Sequence, residues 1–208
     1  MNVLMVNGSP NESGCTYTAL CEVGKALEEN GVGFEIIQLG KKPIRDCIAC
    51  DKCQGNGCVF HDDTVNEFLE RAKEADGFVF GSPVYFAHPS GRLLSFLDRV
   101  FYSCAKNGGY PPFSGKPGAA VVSARRSGTT ASVDVINKYF TISSMPVVSS
   151  TYWNMVHGQC PEDVKKDLEG LQIMRNLGKN MVWMIRQLKQ GALPKQEVEY
   201  RTNFITHP

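Results

Sequence analysis

Residues 1–16, MNVLMVNGSPNESGCT, join a short apolar run to a loop rich in glycine and serine. The apolar run at 3–6 has the length and composition of a buried β-strand, and apolar residues recur at helical spacing within 15–29. A strand that passes through a polar loop into a helix is the opening unit of a parallel α/β sheet. This stretch therefore predicts the fold class of the chain.

The same alternation continues to the end of the chain. Because the strands are apolar throughout, they indicate a parallel sheet covered by helices on both faces. We expect an α/β fold, a flavodoxin-like doubly wound five-stranded parallel sheet of order 2-1-3-4-5 with a long C-terminal helix. We expect one domain at 1–190 and a polar tail at 191–208, and Asp62 or Asp63 as the N-cap of the second helix. The remaining predicted strands are 34–39, 77–81, 118–123 and 146–149, and the remaining predicted helices are 62–75, 89–104, 129–140 and a long one from 161 to about 188.

The charge of the chain is balanced, with 22 Lys plus Arg against 21 Asp plus Glu and a formal net charge of +1. This balance argues against a nucleic-acid partner and against electrostatic binding to a membrane. The first strand follows no basic segment and is too short for a signal peptide or a membrane span. We therefore expect a cytoplasmic protein.

The loop after the first strand has the features of a phosphate site. It carries three hydroxyls and leads into a helix N-terminus, whose backbone N–H groups and dipole favour an anion. It lacks the Walker and Rossmann glycine patterns, and the absence of Lys and Arg suits the single terminal phosphate of FMN. The alternative is a structural turn and N-cap. The candidate residues are Ser9, Asn11, Ser13, Gly14, Cys15 and Thr16.

The loop after the third strand ends in aromatic residues. A flat tricyclic ring needs backbone N–H groups at its polar edge and a rigid apolar surface beside it, which Pro83, Val84, Tyr85 and Phe86 offer. The alternative is that Tyr85 and Phe86 fill the core.

Two segments carry a resemblance to the NADPH-dependent FMN reductase family. One is GSP with the small-residue loop that closes on Thr16, and the more specific one is SPVYFAHPSGRLLSFLDRV at 82–100. The chain departs from the family at Asn11, where a basic residue is common, and at Cys15, where Asn is frequent. The resemblance extends from residue 1 to about 188. The matching positions of the second segment are Pro83, Tyr85, Ser90, Gly91, Phe96, Asp98 and Arg99.

The resemblance implies bound FMN, with NAD(P)H as co-substrate and no catalytic acid supplied by the protein. It also implies that the loop at 123–130 passes the pyrimidine side of the flavin, where a positive charge stabilises the reduced ring. Arg125 or Arg126 fits that role, or contact with the 2′-phosphate of NADPH, and the alternative is a solvated surface. The candidate residues of this loop are Ala124, Arg125, Arg126 and Gly128.

Four of the eight cysteines crowd into one segment with the spacing C-x2-C-x2-C-x4-C. In a reducing compartment such crowding indicates metal or redox chemistry rather than disulfides. Four thiolates hold either Zn²⁺ or an iron–sulfur cluster, and free thiols are the third alternative. The spacing is similar to the iron–sulfur flavoprotein branch of the same family, which implies a 4Fe–4S cluster. These residues are Cys47, Cys50, Cys53 and Cys58.

Two functions from different classes follow from these features. The first is an FMN-dependent oxidoreductase that passes electrons from NAD(P)H through FMN to a small-molecule or protein acceptor. The alternative is an iron–sulfur flavoprotein that acts as an electron carrier. A hydrolase is disfavoured because no GxSxG elbow is present. The long last helix and the aromatic segment at 152–157 predict a homodimer or homotetramer.

Overall fold

The computed structural model describes residues 1–53 and 57–194. Five strands form a parallel sheet in the order β2-β1-β3-β5-β6, and the short β4 pairs antiparallel with the end of β3. This order confirms the predicted flavodoxin-like topology. Of the predicted tail at 191–208, residues 195–208 lie outside the described residues. The strands are β1 (Asn2–Asn7), β2 (Gly33–Gln38), β3 (Gly77–Tyr85), β4 (His88–Pro89), β5 (Gly118–Ala124) and β6 (Met155–His157).

Helices cover both faces of the sheet. Val3 and Met5 of β1 face the helices α1 and α6, whereas Leu4 and Val6 face α2, α3 and α4. This alternation follows from the period of two in a strand, and it explains why β1 is apolar throughout. In the described part of the chain, no helix is long and apolar enough to cross a membrane. The helices are α1 (Cys15–Glu29), α2 (Val65–Glu74), α3 (Gly91–Lys106), α4 (Thr129–Ile142), α5 (Pro161–Val164) and α6 (Leu168–Leu188).

The last strand differs from its predicted position. Residues 146–149 make only an isolated bridge, between Val147 and Gly118, and the edge strand is instead β6 at the far end of β5. Pro146 has no N–H to give to a ladder. The next residues turn to α6, since the Ser150 hydroxyl donates to the carbonyl of Ile173 at 2.7 Å. The predicted strand at 146–149 was therefore wrong.

The predicted long C-terminal helix is interrupted at 165–167. Asp167 is the N-cap of α6 and accepts a hydrogen bond from Gly170 N–H at 2.9 Å. Its second carboxylate oxygen accepts from His157 N–H at 2.6 Å, which ties the start of α6 to β6. The N-cap of α2 is Thr64, not Asp62 or Asp63 as predicted. The Asp63 carboxylate still accepts from Val65 N–H at 3.1 Å, and it also forms a buried ion pair with Arg99.

A close backbone contact joins the first two site loops at the carboxyl edge of the sheet. Gly8 N–H donates to the Gly81 carbonyl at 2.8 Å, and the Ser90 hydroxyl donates to the Gly8 carbonyl at 2.9 Å. A Cβ at position 8 would lie 2.8 Å from that Gly81 oxygen and 2.9 Å from Leu93 Cβ. Only glycine permits this approach, which sets the two loops side by side.

Candidate functional site

The first loop is held in shape by side chains of β1 and β2. Asn7, which is fully buried, accepts from Ser9 N–H at 3.1 Å and donates to the Gln38 side chain at 2.5 Å. Gln38 in turn donates to the Ser9 carbonyl at 2.7 Å, and the Ser9 hydroxyl accepts from Asn11 N–H at 3.1 Å. The loop is therefore preformed, with its polar groups fixed before any ligand binds.

The end of this loop has the geometry of an anion site. Helix α1 begins at Cys15 behind Gly14, an N-cap that makes no side-chain capping bond, so the positive end of the helix is not occupied by a capping group. Burial raises the pKa of the Cys15 thiol, and nearby Cys160 raises it further. A neutral thiol adds no negative charge here, and its sulfur lies 3.6 Å from the carbonyl oxygen of Gly158.

A cleft of about 230 Å³ opens between the loops at the carboxyl edge. The first loop forms one wall, and the last residues of β3, which continues to Tyr85 where the sequence predicted a loop, form another. The ends of β5 and β6 close the far side. At its floor the buried hydroxyls of Thr16 and Ser123 lie 2.8 Å apart. The lining residues are Ser9, Asn11, Cys15, Thr16, Pro83, Val84, Tyr85, Ser123, Ala124, Arg125, Gly158 and Gln159.

A second cavity of about 590 Å³ adjoins the cleft and shares Asn11 as a wall. It contains Ser13 and Gly14 together with the exposed side chain of Lys41. Lys41 follows β2 and so lies at the same edge of the sheet as the first loop. No cation was predicted at this loop, because residues 7–16 contain no Lys or Arg and Lys41 follows the next strand of the chain.

Three predicted flavin residues lie outside these walls. Phe86 and Arg126 are exposed, and Gly128 is the N-cap of α4. Gly128 has φ 89° and faces the tip of the β3–β4 hairpin, where its Cβ would lie 2.5 Å from Ala87 Cα. The alternative in which Tyr85 and Phe86 fill the core is wrong, since Tyr85 is 48% exposed and Phe86 is wholly so.

Sequence reasoning also missed three residues of the cleft. Ser123 was part of the predicted third loop but was not predicted as a site residue, although it follows the apolar run of β5. Gly158 and Gln159 follow β6 and so reach the same edge. The strand had been predicted at 146–149, and a correct position for β6 would have identified both residues.

The four clustered cysteines lie in the connection between β2 and α2. Cys53 and Cys58 are buried, and Cys47 and Cys50 are half-buried. Burial raises the pKa of the Cys53 thiol, and the charges of Cys58, Cys50 and Cys47 raise it further, so the thiols share one neighbourhood. Within residues 1–53 and 57–194, no three Cys, His, Asp or Glu side chains converge as a metal site.

Two buried thiols are fixed through their backbone by the neighbouring helices. Asn66 of α2 accepts from Cys58 N–H and donates to the Cys58 carbonyl, both at 2.8 Å. Asn107, at the end of α3, donates to the Cys53 carbonyl at 2.6 Å. Side-chain amides therefore satisfy backbone groups of this loop that a neighbouring strand would satisfy in a sheet.

The segment between the first thiols contains two residues in the left-handed region. Ala49 has φ 48° and Asp51 has φ 55°, conformations that non-glycine residues adopt at a cost. The Asp51 carboxylate is held by the Tyr102 hydroxyl at 2.7 Å and by Lys106 Nζ at 2.8 Å. Helix α3 thus stabilises the strained turn.

A buried arginine connects the thiol loop to α3. Arg99 is 2% exposed and forms an ion pair with the carboxylate of Asp63. Its Nε lies 3.2 Å from Cys58 Sγ, and one terminal nitrogen donates to the Phe60 carbonyl at 3.3 Å. Burial opposes the charge of Arg99, but the bonds to Asp63 and Cys58 outweigh it and raise the pKa.

The sheet order and the loop-lined cleft at its carboxyl edge define the flavodoxin-like class of α/β proteins. Solved structures agree on the fold. RosB with a bound riboflavin-phosphate derivative superposes with a TM-score of 0.70 at 14% identity, over 99% of this chain and 92% of that one. An archaeal flavodoxin superposes with a TM-score of 0.58 at 17% identity, over 89% of this chain and 99% of that one.

Sequence comparison identifies the family within that class. The model of the NADPH-dependent FMN reductases matches residues 1–159, and this chain belongs to that family. An iron–sulfur flavoprotein of Methanocaldococcus jannaschii is 36% identical over 197 residues, covering 91% of this chain and 100% of its own length. An iron–sulfur flavoprotein of Methanosarcina thermophila is 26% identical over 198 residues, covering 92% and 98%.

The buried ion pair gives a testable difference between two adjacent aspartates. We expect Asp63→Ala to lower the free energy of unfolding by about 3–5 kcal/mol, because it leaves the Arg99 charge buried without its partner. Asp62→Ala is the matched control, since Asp62 pairs with Arg45 at the surface, and we expect a loss of about 0–1 kcal/mol. Urea unfolding under reducing conditions measures both. Equal losses would contradict the importance of the buried pair.

Proposed function

We propose that this chain is an FMN-dependent electron-transfer oxidoreductase that also holds an iron–sulfur cluster at its thiol loop. The observation that carries the proposal is the preformed cleft at the carboxyl edge. The cleft is lined by the same loops that we expect to surround the flavin in a member of the FMN reductase family. The similarity to iron–sulfur flavoproteins, which extends over nearly the whole chain, supports the second centre.

The phosphate of FMN would bind at the start of α1. The hydroxyls of Ser9 and Ser13 and the N–H groups of the first helical turn offer hydrogen bonds to a phosphate monoester. Thr16 has its hydroxyl 2.8 Å from that of Ser123, so it also fixes the floor of the cleft. Lys41 supplies the positive charge that the loop itself lacks.

The flavin ring would lie between the second and third loops. Pro83 and Val84 give one wall, and Tyr85 stands half-exposed at the rim, where it limits the approach of water and substrate. Arg125 lines the opposite wall and brings a positive charge to the pyrimidine side. Ala124 and Gly128 belong to the same loop. The redox chemistry is that of the bound flavin, which exchanges electrons singly or in pairs, and no protein acid is required.

The four cysteines give the thiol loop the donor chemistry of an iron–sulfur site, and they would have to draw together to hold a cluster, since no three of the described side chains converge. Cysteine thiolates are the usual ligands of such clusters, and two of the four here are already buried and fixed through their backbone. The left-handed residues Ala49 and Asp51 lie between Cys47 and Cys53, and they bend the chain in the segment that carries the first three thiols. A bound cluster would supply one-electron transfer. Zinc is the competing occupant.

A nicotinamide-dependent reductase is the second candidate. Membership of the NADPH-dependent FMN reductase family supports NAD(P)H as electron donor, and exposed Arg125 at the cleft would meet a charged co-substrate. The acceptor would be a small molecule or a redox protein. Exposed Tyr152, Trp153 and Trp183 support a subunit contact in a homodimer or homotetramer.

Cofactor content tests the proposed function directly. After anaerobic purification and reconstitution with iron and sulfide, we expect one FMN and about four irons per chain, with flavin bands above a broad absorbance. Anaerobic mixing with NADH or NADPH then separates the two candidates, because a reductase bleaches the flavin rapidly and a carrier does so poorly. A chain that binds flavin but no iron would rule out the cluster, and a chain that binds no FMN would refute the proposal.

The phosphate assignment is tested by comparing FMN with riboflavin. We expect Ser9→Ala combined with Ser13→Ala to weaken FMN binding about tenfold or more, because bonds to a charged group are lost. Riboflavin has no phosphate, and its affinity should change by no more than about twofold. Fluorescence titration measures both ligands. Thr141→Val, on the surface of α4, is the control, and equal losses for both ligands would indicate a general disruption of the loop.

Lys41 gives a separate test of the phosphate site. We expect Lys41→Met to weaken FMN binding about two- to fivefold at low salt, and less at high salt, because an exposed charge is screened. The adjacent Lys42→Met is the matched control, since Lys42 is exposed but does not line the cavity. A loss that is the same in both variants would exclude a specific contact from Lys41.

A further inference from the structure

Arg99 is a buried cation whose contact with a thiol serves no purpose in the flavin site. It lies on α3, and its Nε is 3.2 Å from the sulfur of Cys58. A guanidinium that needed only a counter-ion would be satisfied by Asp63, whose carboxylate is 5% exposed and paired with it. The Nε–H of Arg99, however, donates to the sulfur of Cys58.

Cys58 is consequently held more completely than a core cysteine requires. Its N–H and carbonyl both bond to the Asn66 side chain on α2, and its sulfur accepts from Arg99 on α3. The two helices thus fix the backbone and the sulfur independently. The second terminal nitrogen of Arg99 donates to the Asp63 carboxylate at 3.2 Å, which keeps the guanidinium in place.

We propose that Arg99 is a positioning residue for the iron–sulfur site, which orients Cys58 Sγ as a ligand and holds a permanent positive charge beside it. This inference rests on the cluster proposed above. Partners that hydrogen-bond to metal ligands orient them and strengthen binding. A cation bonded to a ligating sulfur also stabilises added negative charge, so the reduced form of the site is favoured and its reduction potential is raised.

The experiment compares three variants in the full chain. Arg99→Met removes the charge and the bond to sulfur. Arg99→Met with Asp63→Asn removes both charges of the pair, so no unpaired ion remains buried, while the Asn oxygen still accepts from Val65 N–H. Arg186→Met is the control, because Arg186 lies on α6 and bonds to the carbonyl of Asn30, away from both the thiol loop and the flavin cleft.

Each variant is reconstituted anaerobically with iron and sulfide. Iron content, the rate of iron loss to a chelator and the midpoint potential from an EPR-monitored titration are then measured. FMN binding and far-UV circular dichroism report the fold separately. We expect both Arg99 variants to lose iron roughly tenfold faster than the wild type or to fail to retain it, and any retained cluster to have a more negative potential. The control should match the wild type.

The outcomes separate this inference from the proposed function. A wild-type chain that takes up no iron overturns the cluster and this inference together. A wild-type chain with a full cluster, and a folded double variant with the same iron loss and the same potential, overturns the role of Arg99 alone. If the single variant does not fold, the double variant decides the result. A change in iron retention without a change in potential overturns the electrostatic part.

Discussion

The hydrogen bond from Gly8 N–H to the Gly81 carbonyl is the contact on which the site depends. It continues the pairing of β1 with β3 one residue beyond the end of β1, at 2.8 Å, and leaves no room for a side chain at position 8. Ser90 adds a second tie through its hydroxyl, so the start of α3 is bound to the same junction. The loop after β1, the end of β3 and the start of α3 are therefore positioned by one close backbone approach. Because α3 also carries Arg99, the thiol loop takes its position from it as well.

The parts of the fold that the sequence predicted are those in which local pattern and burial agree. The apolar runs of β1 and β3 are buried on both faces, and α1 begins and ends where its spacing predicts. The first loop was recognisable because a strand, small polar residues and a helix occur there without interruption. Cleft walls at Ser9 and Tyr85 follow from the rule that parallel strands present their carboxyl ends at one edge.

The parts that the sequence did not predict depend on contacts between distant residues. The edge strand was misplaced because residues 146–149 are apolar, yet Pro146 and the bonds from 149–151 to α6 draw the chain away from β5. Asp63 accepts from the first N–H of α2, but its carboxylate also pairs with Arg99, 36 positions away, and no local pattern indicates that pair. Arg99 itself matched a family motif, and no local pattern indicates that its Nε meets a sulfur.

The thiol loop is ordered by side chains rather than by a backbone ladder. In its described part, the connection from Gly40 to Thr64 contains no strand or helix, and Asn66, Arg99 and Asn107 hold it from outside. Regions of this kind open with a lower free energy than the sheet that supports them, and their amide hydrogens exchange sooner. The thiols thus become accessible while the sheet and the flavin cleft stay intact. Access to these thiols is therefore governed by local opening of the loop and not by unfolding of the whole domain.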